Sequence, residues 1–169
     1  SILPLGGVDR SLAGNEFDAS DEDGGINIEN APVTSLLQPD AIATFVVNGE
    51  TYFVTANEGD ARVVFGSEEE RLEDVDLDDA TFPNEAALKD EAELGSRNVI
   101  NHAGDTDNDG DIDVITSYGG RGISIFKQND DGSIVKVREA GGEFEKIIAS
   151  LPNADTAFNP ASLVKLATT

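Results

Sequence analysis

The sequence predicts an all-β or β-rich fold, either propeller-like blades forming part of a ring or a β-sandwich, with one or two short helices. Three features predict it: two pairs of short β-branched runs that each flank a tight turn, glycine pairs at the corners between runs, and helical spacing confined to two brief segments.

The elements follow in order. Residues 1–39 are rich in Gly, Asp and Asn around short apolar patches, which gives loop with brief strands. Residues 41–47 are apolar and β-branched, and Asn48-Gly49 favours a type I′ turn. Residues 50–56 then alternate Tyr52, Val54 and Ala56 against Thr51, Phe53 and Thr55, which makes the whole a β-hairpin. Residues 61–65 extend the sheet. Residues 67–79 make an acidic excursion from it, anchored by Leu72, Val75 and Leu77. Asn84, after Pro83, caps a helix running to Leu94, with Glu85 in its first turn, Gly95 as its stop and a small apolar face of Leu88, Ala92 and Leu94. Residues 97–100 and 114–118 are strands on either side of an aspartate-rich loop, and Gly119-Gly120 turns the chain. Residues 122–127 and 133–139 pair as a second hairpin across Asn129-Asp130-Asp131-Gly132. Phe144, Ile147, Ile148 and Leu151 stand at i, i+3, i+4 and i+7, one face of a helix that Pro152 ends. Residues 154–169 carry only a weak pattern.

The 169 residues suit a single module, 1–169. A four-stranded blade takes about 40–50 residues, so they supply part of a ring and imply a larger parent chain. Thirty-four acidic against 11 basic residues leave a net charge of −23, which repels nucleic acid and anionic lipid. Self-repulsion on that scale opposes compaction unless salt screens it or bound cations offset it locally. With no Cys, thiol catalysis and Cys-based zinc sites are excluded. No apolar run approaches the roughly 18 residues of a membrane span, so no direct membrane insertion is expected, and any targeting segment is expected outside this sequence.

The loop Asp105-Thr106-Asp107-Asn108-Asp109-Gly110-Asp111-Ile112-Asp113 places carboxylates at positions 1, 3, 5 and 9, with glycine at position 6. A hard cation wanting six to eight oxygens is served by carboxylates at alternate positions if the chain turns sharply at the glycine, so calcium is the expected cofactor. Asp111, at position 7, is expected to offer its backbone carbonyl. An EF-hand would need a bidentate glutamate at position 12, where Thr116 stands, and helices where strands are expected. The pattern instead resembles the calcium loops of integrin-type propeller blades. A calcium-binding β-sandwich is the alternative architecture. Asp18, Asp21 and Asp23, before Gly24-Gly25 and Asn27, form a second candidate site of less regular spacing, or else an Asx-turn loop.

Several segments together resemble the choice-of-anchor I family. They are Asp18 through Ile28, Gln38-Pro39-Asp40-Ala41-Ile42, Phe53-Val54-Thr55-Ala56-Asn57-Glu58-Gly59-Asp60-Ala61-Arg62, Phe82-Pro83-Asn84, Ala87-Leu88-Lys89-Asp90, Gly104 with the aspartate loop, and Gly119-Gly120-Arg121-Gly122-Ile123-Ser124-Ile125. The resemblance implies a secreted protein of propeller-like fold, attached at the cell surface, of which this chain is an internal portion. Members are often described as alkaline-phosphatase-like.

Three functions compete. An extracellular adhesion module would use calcium-stiffened loops to bind a peptide or glycan on a cell surface, with Asn57, Glu58, Asp60, Arg62 and Arg121 as candidate contacts. A calcium-dependent phosphoesterase would use Arg62 and Arg121 as the cationic clamp, although each arginine has acidic neighbours that could instead claim it as an ion-pair partner. A structural spacer would need neither. One histidine, His102, is too few for a two-zinc phosphatase site. The binding module asks least of the sequence and ranks first.

Overall fold

The computed structural model describes residues 4–62, 66–152 and 154. In chain order, β1 (Gly7–Asp9), β2 (Phe17–Asp18), β3 (Ile28–Glu29) and β4 (Thr34–Leu36) precede a long hairpin of β5 (Pro39–Val47) and β6 (Glu50–Asn57). β7 (Glu69–Arg71), a 3-10 turn (Leu72–Asp74) and α1 (Glu85–Leu88) follow. β8 (Asn98–Ile100) and β9 (Thr116–Tyr118) flank the aspartate loop, and β10 (Gly122–Gln128), β11 (Ile134–Glu139) and α2 (Gly141–Ala149) come last.

The fold is β-rich, as its sequence predicts. Its largest sheet is antiparallel, in the order β11-β10-β6-β5, the sequential up-and-down arrangement of a propeller blade, with residues 58–121 inserted between its second and third strands. The hairpin turn has positive φ at Asn48 (53°) and Gly49 (83°), the requirement that the Asn-Gly pair meets at low cost. A second sheet, β1-β4-β9, is antiparallel between β1 and β4 and parallel between β4 and β9. β2-β3 and β7-β8 are small separate pairs.

Facing residues in the register share a side, so Thr44, Phe53 and Phe126 lie on one face of the large sheet and Ala43, Val54 and Ile125 on the other. The first face meets Val8 and Leu37 in a small core, joined by Leu5 and Ile134. A larger core gathers Phe17, Leu72, Val99 and Ile115, each at most 1% exposed, with Leu77, Leu88 and Leu94. The acidic excursion therefore builds this core through its three apolar anchors while contributing β7 to a sheet. β5 lies at the sheet edge and leaves Ile42, Phe45, Val46 and Val47 exposed.

Two helices differ from expectation. α1 ends at Leu88 instead of Leu94, because Asp90 Oδ1 accepts the Ala92 N–H at 3.0 Å and Leu94 and Gly95 return to the carbonyls of Leu88 and Asp90. Asn84 holds the N-cap position without a side-chain capping bond, and Ala92 is exposed. α2 forms where predicted but turns its apolar stripe outward: Gly141, Gly142 and Glu145 are buried, whereas Phe144, Ile147 and Leu151 are exposed. The strand expected over 61–65 falls largely on residues 63–65, and the weakly patterned tail on 155–169, both outside the described residues.

Candidate functional site

The aspartate loop is closed at its neck by Gly104, whose carbonyl accepts the N–H groups of Asp113 (2.9 Å) and Val114 (3.1 Å). Inside it, Asp105 Oδ1 accepts Asn108 N–H at 2.6 Å and Oδ2 accepts Gly110 N–H at 3.1 Å, while Asp113 Oδ2 accepts the backbone and hydroxyl of Thr106 at 2.7 and 2.6 Å. Asn108 and Gly110 turn the chain at positive φ, 65° and 111°. These bonds hold the loop's turns, and the carboxylates still bring one oxygen each close to their neighbours.

They converge as two triads. Asp105, Asp107 and Asp109 bring one oxygen each within 4.8 Å of the others, and Asp78, Asp111 and Asp113 do the same. Asp78 arrives from the excursion, through an isolated parallel bridge between Leu77 and Ile112 backed by Ile112 N–H to Asp76 O at 2.9 Å. The Asp111 side chain thus joins the second triad, where the sequence suggested its carbonyl, and its buried Oδ1 has no hydrogen-bond partner. Burial, then Asp109, pushes the Asp111 carboxyl up to about 6, and burial with Asp109 and Asp113 also raises Asp107. A divalent cation would remove the repulsion that adds to burial in both shifts, and the all-oxygen donor set suits calcium. The backbone of β8 and β9, to which the loop is anchored, passes directly into a second feature.

That feature is a polar cavity of about 520 Å³ between the 58–61 turn, the starts of β7 and β8, and the end of β9. Glu58, Asp60 and Arg121 of the expected contacts line it, with Asp21 from the second aspartate cluster. Gly59 and Gly119, both at positive φ, close one wall: a Cβ on Gly119 would lie 2.0 Å from Glu58 O. Asn57 is 1% exposed and is bonded instead to Thr55 Oγ1 and Ser124 Oγ, so it holds strands together. Arg62 ion-pairs with Glu68. Glu58 faces the Asp40 carboxyl, which raises its pKa.

Beneath the cavity lies a charged network that the sequence did not announce. Arg121 Nε meets Glu145 Oε1 at 3.1 Å and its Nη1 donates to Asp18 O at 3.1 Å, while Glu145 Oε2 accepts Asp18 N–H at 2.7 Å. Arg10, fully buried, donates to Ser35 Oγ (3.1 Å), Gly120 O (2.8 Å) and Asn15 O (3.4 Å). Arg10 and Arg97 both stack on Phe17, 4.9 and 4.6 Å from its centroid. His102 is exposed, with Nδ1 3.2 Å from Asn101 Oδ1.

Asp18, Asp21 and Asp23 do not form such a triad among the described residues. Asp18 is fully buried against Asn27 N–H (3.3 Å), whereas Asp23 serves Gly25 N–H and Asn27 Nδ2 in a turn. Asp18 Oδ1 has no partner, and burial pushes this carboxyl up to about 6. A raised carboxylate pKa means that the folded state binds the extra proton between about pH 4 and 6, so stability falls as pH rises through that window. Asp18→Asn in metal-free buffer is therefore expected to stabilise the protein at pH 7.5 by on the order of 1–2 kcal/mol, with the gain fading toward pH 4. Urea unfolding at both pH values checks it; equal gains at both would contradict the assignment.

The model of the choice-of-anchor I domain matches residues 1–167. The chain belongs to the choice-of-anchor I family. Membership implies a secreted or cell-surface protein, and no helix among the described residues is long and apolar enough to cross a membrane. No curated protein and no solved structure matches. For a choice-of-anchor I domain, then, the two acidic triads and the cavity beside them are the features from which a role is argued.

Proposed function

We propose that this domain is an extracellular calcium-dependent module that binds a peptide or glycan on a cell surface, an adhesion function, and that it acts as part of a larger surface protein. The observation that carries the reading is the placement of the cavity between the same two strands that the aspartate loop joins. β8 and β9 supply Asn98, Ser117 and Tyr118 to its wall, and β8 and β9 pack alongside each other. A cation that fixes the loop fixes the spacing of those strands, and hence the cavity.

The phosphoesterase alternative draws less support, because its two proposed clamps are engaged by carboxylates: Arg62 by Glu68 and Arg121 by Glu145. The larger-protein part of the reading rests on the large sheet. Ile42, Val46, Val135 and Val137 are 47–68% exposed, and an apolar, unpaired edge of this kind is ordinarily covered.

The direct test is a glycan and peptide array probed in 1 mM calcium and again in excess chelator. Saturable binding lost at least about tenfold on chelation is expected. Binding that ignores chelation would separate the cavity from the loop and remove the calcium-dependent reading.

A further inference from the structure

Arg97 stands out in a chain with three acidic residues for every basic one. It immediately precedes β8 and lines the cavity, its guanidinium lies against Phe17, and its buried Nε has no hydrogen-bond partner. Among the described residues its side chain forms neither a hydrogen bond nor an ion pair. Its cationic neighbours are Arg10 and Arg121, and burial with those two like charges holds its pKa down to about 9. Glu145 and Glu69 oppose its charge only at longer range, without a direct ion pair, and a half-buried guanidinium left without a direct partner is costly, a cost that a ligand carboxylate would offset.

The rest of the wall restricts which anion. Six carboxylates, Asp60 and Glu69 among them, face three arginines there, so the wall accepts hydrogen bonds but repels a bare anion, while Asn98 and Ser96 offer neutral polar groups and Tyr118 supplies an aromatic surface. Glu69 is already held by Asn98 Nδ2 at 3.4 Å, and burial raises its pKa. Acceptors around an arginine and beside an aromatic ring match a molecule with one carboxylate, several hydroxyls and a C–H face. From this we infer that the cavity binds an acidic sugar of the uronate class, its carboxylate on Arg97 and its hydroxyls on the surrounding acceptors. The inference rests on the ligand-binding reading above and names the ligand class for the same cavity. A volume of about 520 Å³ admits one or two sugar rings.

Calorimetry of the full chain in 1 mM calcium tests it with glucuronate and galacturonate oligomers, the matching neutral oligomers, and a peptide offering only a terminal carboxylate. Uronate oligomers are expected to bind at least about tenfold more tightly than neutral ones. Arg97→Gln should abolish that preference, Arg97→Lys should recover part of it, and Glu69→Gln should weaken both sugar classes without erasing the preference. Circular dichroism verifies each fold, and if Arg97→Gln does not fold, the Lys and Glu69 variants decide. Neutral sugars binding as well as uronates, or the peptide alone binding, would overturn the inference and leave the calcium-dependent binding module standing. Silence across a broad glycan and peptide array overturns both.

Discussion

Glu145→Ala is expected to cost about 3–5 kcal/mol of folding stability. Glu145 is 1% exposed on α2, and its two oxygens do different work: one faces Arg121 Nε at 3.1 Å, the other accepts Asp18 N–H at 2.7 Å. Truncation removes the carboxylate that opposes the Arg121 charge and strands a buried backbone donor, and each loss alone is worth more than a surface ion pair. Glu145→Gln keeps an acceptor for Asp18 N–H and should cost about half as much. Urea denaturation with an unchanged slope is the measurement. A loss below 1 kcal/mol for the alanine variant would mean that α2 is held in some other way.

That expectation could not have come from the helical pattern alone. Phe144, Ile147 and Leu151 have the spacing of a buried stripe, yet they lie outward. Gly141 and Gly142 explain the inversion: a Cβ on either would sit 2.6 Å from a carbonyl, of Gly120 and of Glu16 respectively, so the helix start can approach the body only along its glycine side. Glu145 then follows inward. Phe144 and the half-buried Ile148 line a groove of about 410 Å³ with Ala41 and Ala56 of the large sheet.

Hairpins were legible because strand alternation and turn chemistry are local. Asn48-Gly49 and Gly132 reach positive φ where the sequence places their turns. The α1 boundary was not, because Asp90 competes with the helix for backbone donors, and composition does not say which bond wins. The aspartate loop was legible from spacing, but Asp78 was not, since it joins through a long-range bridge at Leu77 and Ile112. Arg97 and Arg10 carried no motif. Their role is visible only when Phe17 brings both guanidiniums to one ring.

Removal of calcium is expected to lower the melting temperature by about 5–10 °C at neutral pH. At 1 mM cation and a Kd near 10 μM, typical of such loops, the bound ion contributes about 2.7 kcal/mol, and in a chain of this length each kcal/mol moves the midpoint by about 2–4 °C. The physical source is specific. Two triads each hold three oxygens within 4.8 Å, where a like-charged pair costs roughly 1 kcal/mol even at the dielectric of water. Burial first, with that repulsion added to it, raises Asp107 and Asp111 in the absence of a cation. Ionising Asp111 as pH rises through about 4 to 6 therefore costs the apo fold stability, whereas the calcium-loaded fold gains over the same window because the ion binds the deprotonated form. The gap in melting temperature between calcium and chelator should open with rising pH and close near pH 4. Asp109→Ala and Asp78→Ala strike different triads, so each should lower the calcium stoichiometry seen by calorimetry if both triads are occupied, and only one should do so if a single ion serves the loop. A gap that stays constant with pH, or full stoichiometry in both variants, would show that the convergence of these carboxylates has nothing to do with a bound cation.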